Sequence, residues 1–413
     1  MKLRPLLALT FSATCAFAAG CGDNGTAMMT PADMALPGIS MDLKPENADL
    51  GHGPGATTAV VTTSSLMTFG ALNTVRLADK TVTKQIDTTL DQDNAVEAQG
   101  GKVLVLDRTH GSLRVYDPGA AFKSPIEIAT GDMTAPNGKS NPHDAVLVPA
   151  TSKIYVAMYG NDADHAVGLV DTTQPAKGVL KWIAVPKAGS PLPRANNLYF
   201  CGPYVYVVLE DLDAMYGVTG PGRIAVIDPK TDALVMDTPI ITLAGKNPGS
   251  GTQFAITQAD PKAGSCDLVL VANGGDFNVP KAPNGGGIEV VDLTRRKSLG
   301  LLLTDKDLGG DPGSISTVNA NLAYAIINNA DFTQKVVAID PMNKKVLGDV
   351  FGPSGFLTFA QASPDGQLFV GAAKGDMAKG QPAIGLYVGP ADGMKLSATA
   401  IDLGQAPYAV SFY

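Results

Sequence analysis

From residue 57 to the C-terminus, short runs of β-branched, aromatic and small residues recur about every fifty positions, separated by stretches of Gly, Pro, Asp and Asn. Each unit follows one order: a short strand, a turn, a second strand rich in Tyr and Val, a variable loop, a third strand usually ending in Asp, a turn and a fourth strand. The second strands align as Val103–Leu106, Ile154–Ala157, Val205–Val208, Leu268–Val271, Ala323–Ile326 and Leu368–Val370. The third strands set the register: Leu113–Pro118, Val167–Asp171, Arg223–Pro229, Ile288–Asp292 and Val336–Pro341. Asp followed by Pro or by a short polar run begins a turn. Apolar residues at successive rather than alternate positions suit a sheet covered on both faces.

Two irregular units complete the series. Thr58–Val61 with Asn73–Leu77 makes the first, which begins at a second-type strand and lacks an innermost one. Ala383–Val388 supplies the third strand of the last, without its Asp. The final residues, Ala406–Tyr413, read as a first-type strand with no unit after it. A leftover at each end suits a ring in which the last strand completes the first unit and removes the open sheet edges. The pattern therefore predicts an all-β fold, a seven-bladed β-propeller over residues 57–413, closed by its C-terminal strand.

Composition agrees: 17% charged and 6% aromatic residues, with 46 Gly and 29 Pro, exclude a coiled coil, a collagen, a disordered acidic chain and a polytopic membrane protein. The net charge of -8 repels phosphate backbones, so nucleic acid is not an expected partner. Residues 1–20 have a basic start (Lys2, Arg4), an apolar stretch from Leu6 to Ala19 and a small-residue end. This is the layout of an export signal, and it is short for a bilayer span. The sequence Phe17-Ala18-Ala19-Gly20-Cys21 resembles the lipobox of bacterial lipoproteins, in which cleavage precedes a Cys that then carries the lipid.

That resemblance implies acylation of Cys21 and a membrane anchor in the cell envelope, with ordinary secretion to the periplasm or exterior as the alternative. Gly22 after the Cys resembles the outer-membrane sorting pattern. Residues 21–56, rich in Gly, Asn, Thr, Ala, Met and Pro without an apolar period, read as a tether reaching about 30 Å. The mature domain would retain only Cys201 and Cys266, and an oxidising compartment favours a disulfide between them over two separate buried thiols. Such a bond would contribute roughly 4 kcal/mol on the chain-entropy model.

Ser363-Pro364-Asp365-Gly366-Gln367-Leu368-Phe369-Val370 and Arg223–Pro229 resemble the repeat signature of YVTN/YncE-like propellers. The resemblance covers nearly all of the mature domain and implies the blade fold. Since that family includes surface-binding proteins, relatives of lactonases and members without a known activity, it leaves the task open.

Motifs for catalysis are absent: no G-x-S-x-G, H-E-x-x-H or C-x-x-C, and no Gly-rich dinucleotide turn. Gly138-Lys139-Ser140 ends like a phosphate loop, but Gly131 stands too far ahead of it. Asp91 with Asp93, Asp162 with Asp164, and Asp211 with Asp213 have the D-x-D spacing of calcium loops. They fail at the fifth position, where Ala95, Ala166 and Met215 stand.

Position is more informative than motif. In a propeller the loops from second to third strands, and those between blades, open on one face. That face collects Asp107, Arg108, His110, Asp162, Asp164, His165, Asp211 and Asp276 as candidate ligand-binding residues. His143, in Asn141-Pro142-His143-Asp144 before an innermost strand, would point into the central funnel. With Asp144 or Asp93 as orienter and Arg194 for an anionic group, it forms the candidate catalytic set. His143, His165, Asp107 and Asp144 could hold calcium or zinc if they converged; no other cofactor is indicated. The long loops 210–223 and 273–287 carry Met215, Tyr216, Val218, Phe277, Val279 and Pro280, a composition suited to a protein partner.

The functional expectation is a monomeric, non-enzymatic envelope lipoprotein whose loop-rich face binds a protein partner or a small ligand. A lactonase-like or other hydrolytic enzyme built on His143 is the alternative.

Overall fold

The computed structural model describes residues 55–131, 141–186, 192–249, 255–260, 265–276, 284–319 and 321–413. The expected export signal (1–20), nearly all of the tether (21–56), Phe277, Val279, Pro280 and the Gly138–Ser140 turn lie outside them.

Seven antiparallel sheets follow one another along the chain. Blade 2 is Asn94–Gln99, Lys102–Asp107, Ser112–Tyr116 and Ile126–Ala129; blade 3 is Pro142–Leu147, Lys153–Met158, Val167–Asp171 and Lys181–Ile183. Blade 4 runs Ala195–Cys201, Tyr204–Leu209 and Pro221–Asp228, with its outer edge split between Ala233–Leu234 and Ile240–Lys246. Blades 5 (Ala255–Asp260, Ser265–Asn273, Gly287–Asp292, Lys297–Thr304) and 6 (Asp311–Asn319, Leu322–Asn328, Gln334–Asp340, Lys345–Ser354) repeat the plan.

Blade 7 has three ladder strands, Phe356–Ala362, Gln367–Lys374 and Gly385–Pro390. Its expected fourth strand is reduced to one bridge, Leu386 with Ile401. The outer segment still lays Leu396, Ala398 and Ala400 against the blade, but its Leu396 N–H bonds the Val350 carbonyl of blade 6 instead of continuing the ladder.

Blade 1 confirms the expected closure. Thr58–Ser64, Gly70–Arg76 and Val82–Leu90 are joined by Ala406–Phe412, which pairs antiparallel with Thr58–Ser64 from Ala59 opposite Phe412 to Ser64 opposite Ala406. The innermost strand of the first blade is thus the last strand of the chain.

The continuous hydrophobicity of the second strands now has its reason. Successive side chains of a strand point to opposite faces, and each blade is covered on both. Val103 and Val105 enter the core shared with blade 1, whereas Leu104 and Leu106 enter the core shared with blade 3. In blade 4, Val205, Val207 and Leu209 face blade 3, while Tyr206 and Val208 face blade 5. The described residues form seven apolar clusters, one at each blade junction.

Cys201 is buried at the end of blade 4's innermost strand and packs in the core between blades 4 and 5. The side chain of Cys266 lies outside the described residues, so their pairing stays an expectation.

Phe412 tests the closure. It is fully buried and meets the Phe369 ring edge-on, with centroids 5.1 Å apart, at the junction of blades 7 and 1. Phe412→Ala is expected to lower unfolding free energy in urea by about 3–5 kcal/mol. A loss below about 1 kcal/mol would mean that the ring does not depend on this strand.

Candidate functional site

Innermost strands and the loops above them enclose a central funnel of about 860 Å³, lined by residues of every blade. Its most ordered wall lies between blades 3 and 4. His143, in the first strand of blade 3, stacks flat on the Tyr159 ring, with centroids 4.0 Å apart and planes within 6°. Tyr159 follows the second strand of the same blade, so neighbouring strands carry the two rings side by side.

His143 Nδ1 lies 3.1 Å from Asn196 Oδ1. Asn196 uses its amide Nδ2 to donate to Glu210 Oε1, and the other carboxyl oxygen of Glu210 accepts from the Tyr159 hydroxyl at 2.8 Å. Because Oδ1 of Asn196 can only accept, Nδ1 of His143 carries the proton and Nε2 keeps its lone pair. Arg194, immediately before blade 4 and held at φ +52°, lies between the Tyr159 and Tyr216 rings, 5.1 and 4.6 Å from their centroids. Among the described residues no carboxylate pairs directly with Arg194.

Burial dominates the charges here. His143 is held well below the ordinary histidine value by burial, reinforced by Arg108 and Arg194 and opposed by Asn196, so it is neutral at pH 7. Burial pushes Glu210 up to about 8 against the opposing effects of Tyr159, Asn196 and Arg194. Asp144 rises to about 7 for the same reason, although its oxygens accept backbone N–H groups from Leu198 and Ala145 at 2.6 and 2.7 Å. Glu97, on the innermost strand of blade 2, is pushed well up by burial and by the neighbouring Asp144.

The structure therefore separates the expected site residues. His143 is in the funnel, but neither Asp144 nor Asp93 orients it; Asn196 does, with Glu210 behind. Asp93 instead pairs with Arg108 at 3.0 Å and accepts from the Tyr408 hydroxyl at 3.1 Å. Arg108 also donates to the His143 carbonyl at 3.3 Å.

Asp211, expected on the ligand face, is fully buried in a bidentate pair with Arg223, both contacts at 2.6 Å. Asp162 caps the short helix Ala163–His165, accepting from the Asp164 and His165 backbone, and His165 Nδ1 lies 2.9 Å from it. Asp276 lies beside Asn284 through two backbone contacts. His143, His165, Asp107 and Asp144 do not converge on one metal position; among the described residues, a group of three donors within 4.8 Å of one another forms only from Asp91, Asp107 and His110.

Tyr159 and Glu97 escaped the sequence reading. Glu97 had one available signal: a charged residue at a middle position of an innermost strand, Asn94–Gln99, where the chain lines the channel. Tyr159 had none, because its role comes from the ring of His143 lying against it.

The shifted carboxyls set the pH dependence of stability. Glu210 keeps its proton up to about 8 in the folded protein, against about 4.3 in an unfolded chain. The resulting stabilisation is full at low pH and is lost as pH rises through about 8. Asp144 acts in the same direction up to about 7. His143 has the opposite sign: its contribution is present above the ordinary histidine value and is lost as pH falls below it. Wild-type Tm should therefore fall between about pH 6.5, above which His143 no longer opposes the trend, and about pH 8, and level off above it; Glu210→Gln should flatten that fall in a pH series of thermal scans. An unchanged slope in the variant would contradict the buried, protonated Glu210.

No family model and no curated protein matches the chain. Solved structures do resemble it. AztD from Citrobacter koseri is 14% identical, with 86% of this chain and 97% of that chain covered and a TM-score of 0.48. Dihydro-heme d1 dehydrogenase NirN in complex with DHE is also 14% identical, with 83% and 65% covered and a TM-score of 0.48. The computationally designed Ika8 protein shares 14% identity over 86% and 91%, with a TM-score of 0.47. The seven blades themselves rest on the strand pairing described above.

Proposed function

We propose that this protein is a non-enzymatic, lipid-anchored envelope protein of YVTN/YncE-like type that captures a small, neutral ligand rich in hydroxyl or amide groups in its central funnel. One observation carries the reading. Asn94 Oδ1, Arg108 Nε, Asn197 Oδ1 and Ser314 Oγ, from blades 2, 4 and 6, are buried on residues lining the funnel, and none has a hydrogen-bond partner in the protein. A buried polar group without a partner costs on the order of 1–3 kcal/mol, so this unspent bonding capacity favours an occupant that supplies it. About 860 Å³ falls within the range of small-molecule sites.

At the mouth, Tyr216, Phe332 and Phe356 line the same cavity and are exposed, Phe332 at 87%. They offer apolar faces to a ligand whose polar groups point inward. Burial works against the charged forms of Glu97, Asp144 and Glu210, which weakens the pull of this wall on a cation and favours a neutral ligand.

A hydrolytic reading keeps one specific support: His143 lines the funnel as a neutral imidazole whose Nε2 keeps its lone pair and could take a proton from water. No carboxylate touches that imidazole, so the binding reading is preferred.

Thermal shift of the full-length protein against a panel of mono- and disaccharides, polyols, amides and lactones separates the two. Binding at 100 times Kd raises stability by about 2.7 kcal/mol, and Asn197→Ala should weaken the responding ligand at least tenfold. Absence of any shift across the panel would overturn the small-ligand reading. Turnover of a lactone by wild type and not by His143→Ala would install the hydrolytic one.

The anchor has its own test. Cys21→Ala should move the protein from the membrane pellet to the soluble fraction after cell lysis. Retention in the pellet would count against acylation at Cys21.

A further inference from the structure

Away from the funnel, three metal-type donors meet at the junction of blades 1 and 2. Asp91 lies in the link between the two blades, Asp107 ends the second strand of blade 2, and His110 stands in the turn that follows. Their ligand atoms lie within 4.8 Å of one another, and none of the three lines the funnel. His110 Nδ1 is 3.0 Å from both carboxylate oxygens of Asp107 and 4.0 Å from Asp91 Oδ2.

The independent observation is the state of Asp91. Its side chain is 7% exposed. Oδ1 accepts from the Gln92 backbone, whereas Oδ2, the oxygen turned toward His110, has no hydrogen-bond partner. The hydroxyl of Ser112, which is opposite Asp107 in the ladder and therefore on the same sheet face, is also buried without a partner. A buried carboxylate oxygen in this position is costly unless a positive charge meets it.

Nearby cations do not supply that charge. Arg114 Nη2 approaches Asp107 Oδ2 at 3.7 Å, but the same guanidinium serves Asp87 at 3.2 Å and Glu127 at 4.0 Å. Arg108 is turned to Asp93. One guanidinium thus serves Asp87, Asp107 and Glu127, and among the described residues no Lys or Arg pairs with Asp91, which leaves a negative excess there.

The arrangement is also held in place before any ion arrives. The Asp91 carbonyl accepts from Asn94 Nδ2 at 2.7 Å, and it presses so close to Gly70 that a Cβ there would meet it at 2.4 Å. Asp107 is fully buried, while the His110 side chain is 65% exposed and gives an entry path.

We propose that Asp91, Asp107 and His110 form a binding site for a divalent cation of the zinc class, the ion replacing the proton that His110 Nδ1 shares with Asp107. Two carboxylates and an imidazole make a mixed N/O set suited to zinc or manganese; calcium prefers oxygen donors alone. Three protein ligands leave a position open to solvent.

Calorimetric titration of Zn²⁺ into the full-length protein, stripped with EDTA and dialysed, tests this. One equivalent should bind, and His110→Ala and Asp91→Asn should each weaken binding at least tenfold. His110 is exposed, so its variant keeps the fold, as an unchanged far-UV spectrum would verify. Without metal, Asp91→Asn should melt no lower than wild type, because it removes an unpaired buried charge. Failure to saturate, wild-type affinity in either variant, or tighter binding of Ca²⁺ than of Zn²⁺ would overturn the proposal.

Discussion

Each blade ends at its innermost strand with one edge unpaired, facing a channel that admits no further strand. The ring depends on how those edge N–H and C=O groups are satisfied. Side chains of the neighbouring blade do it. Ser411 accepts from Ala98, joining blade 1 to blade 2. Gln99 accepts from Leu147 and donates to the Ala145 carbonyl, joining 2 to 3. Asp144 accepts from Leu198 between 3 and 4, Ser316 from Ala362 between 6 and 7, and Thr358 donates to Pro407 between 7 and 1. Behind these stitches the seven apolar junctions supply the bulk of the stabilisation.

This division of labour fixes where chemistry can occur. Polar residues on innermost strands serve the edges that need them, and once there they line the funnel. In that setting burial works against the charges of Glu97, Asp144 and Glu210 and keeps His143 neutral, so hydrogen bonding outweighs charge along this wall. Arg194, held between two tyrosines, is the nearest strong positive charge on the wall between blades 3 and 4. At the blade 1–2 junction the balance is reversed. There the carboxylates outnumber their cations, and the local excess belongs to a cation site.

The chain's order of residues was enough to determine the blades. A period near fifty residues, doubly buried strands such as Lys102–Asp107, Asp-initiated turns and a spare strand at each end admit one economical solution, a ring closed by its own terminus. The same reading placed His143 in the funnel, because a residue that opens an innermost strand has few other places to go. It overstated the last blade, where the fourth strand shrinks to a single bridge when Leu396 bonds across to blade 6.

Side-chain partnership was beyond the sequence. Asp144 adjoins His143 in the chain, yet alternation along the strand turns it away toward the blade 4 backbone, and Asn196, 53 residues on, takes the imidazole instead. Asp211 reads as a residue of the loop-rich face and Arg223 as the start of a third strand, yet the two close on each other in space. Asp91, Asp107 and His110 look like three unrelated turn residues until the link between two blades folds one onto the others. Strand periodicity is local and is written in neighbouring residues; convergence of donors is set by the twist and packing of whole blades, which only the tertiary structure decides.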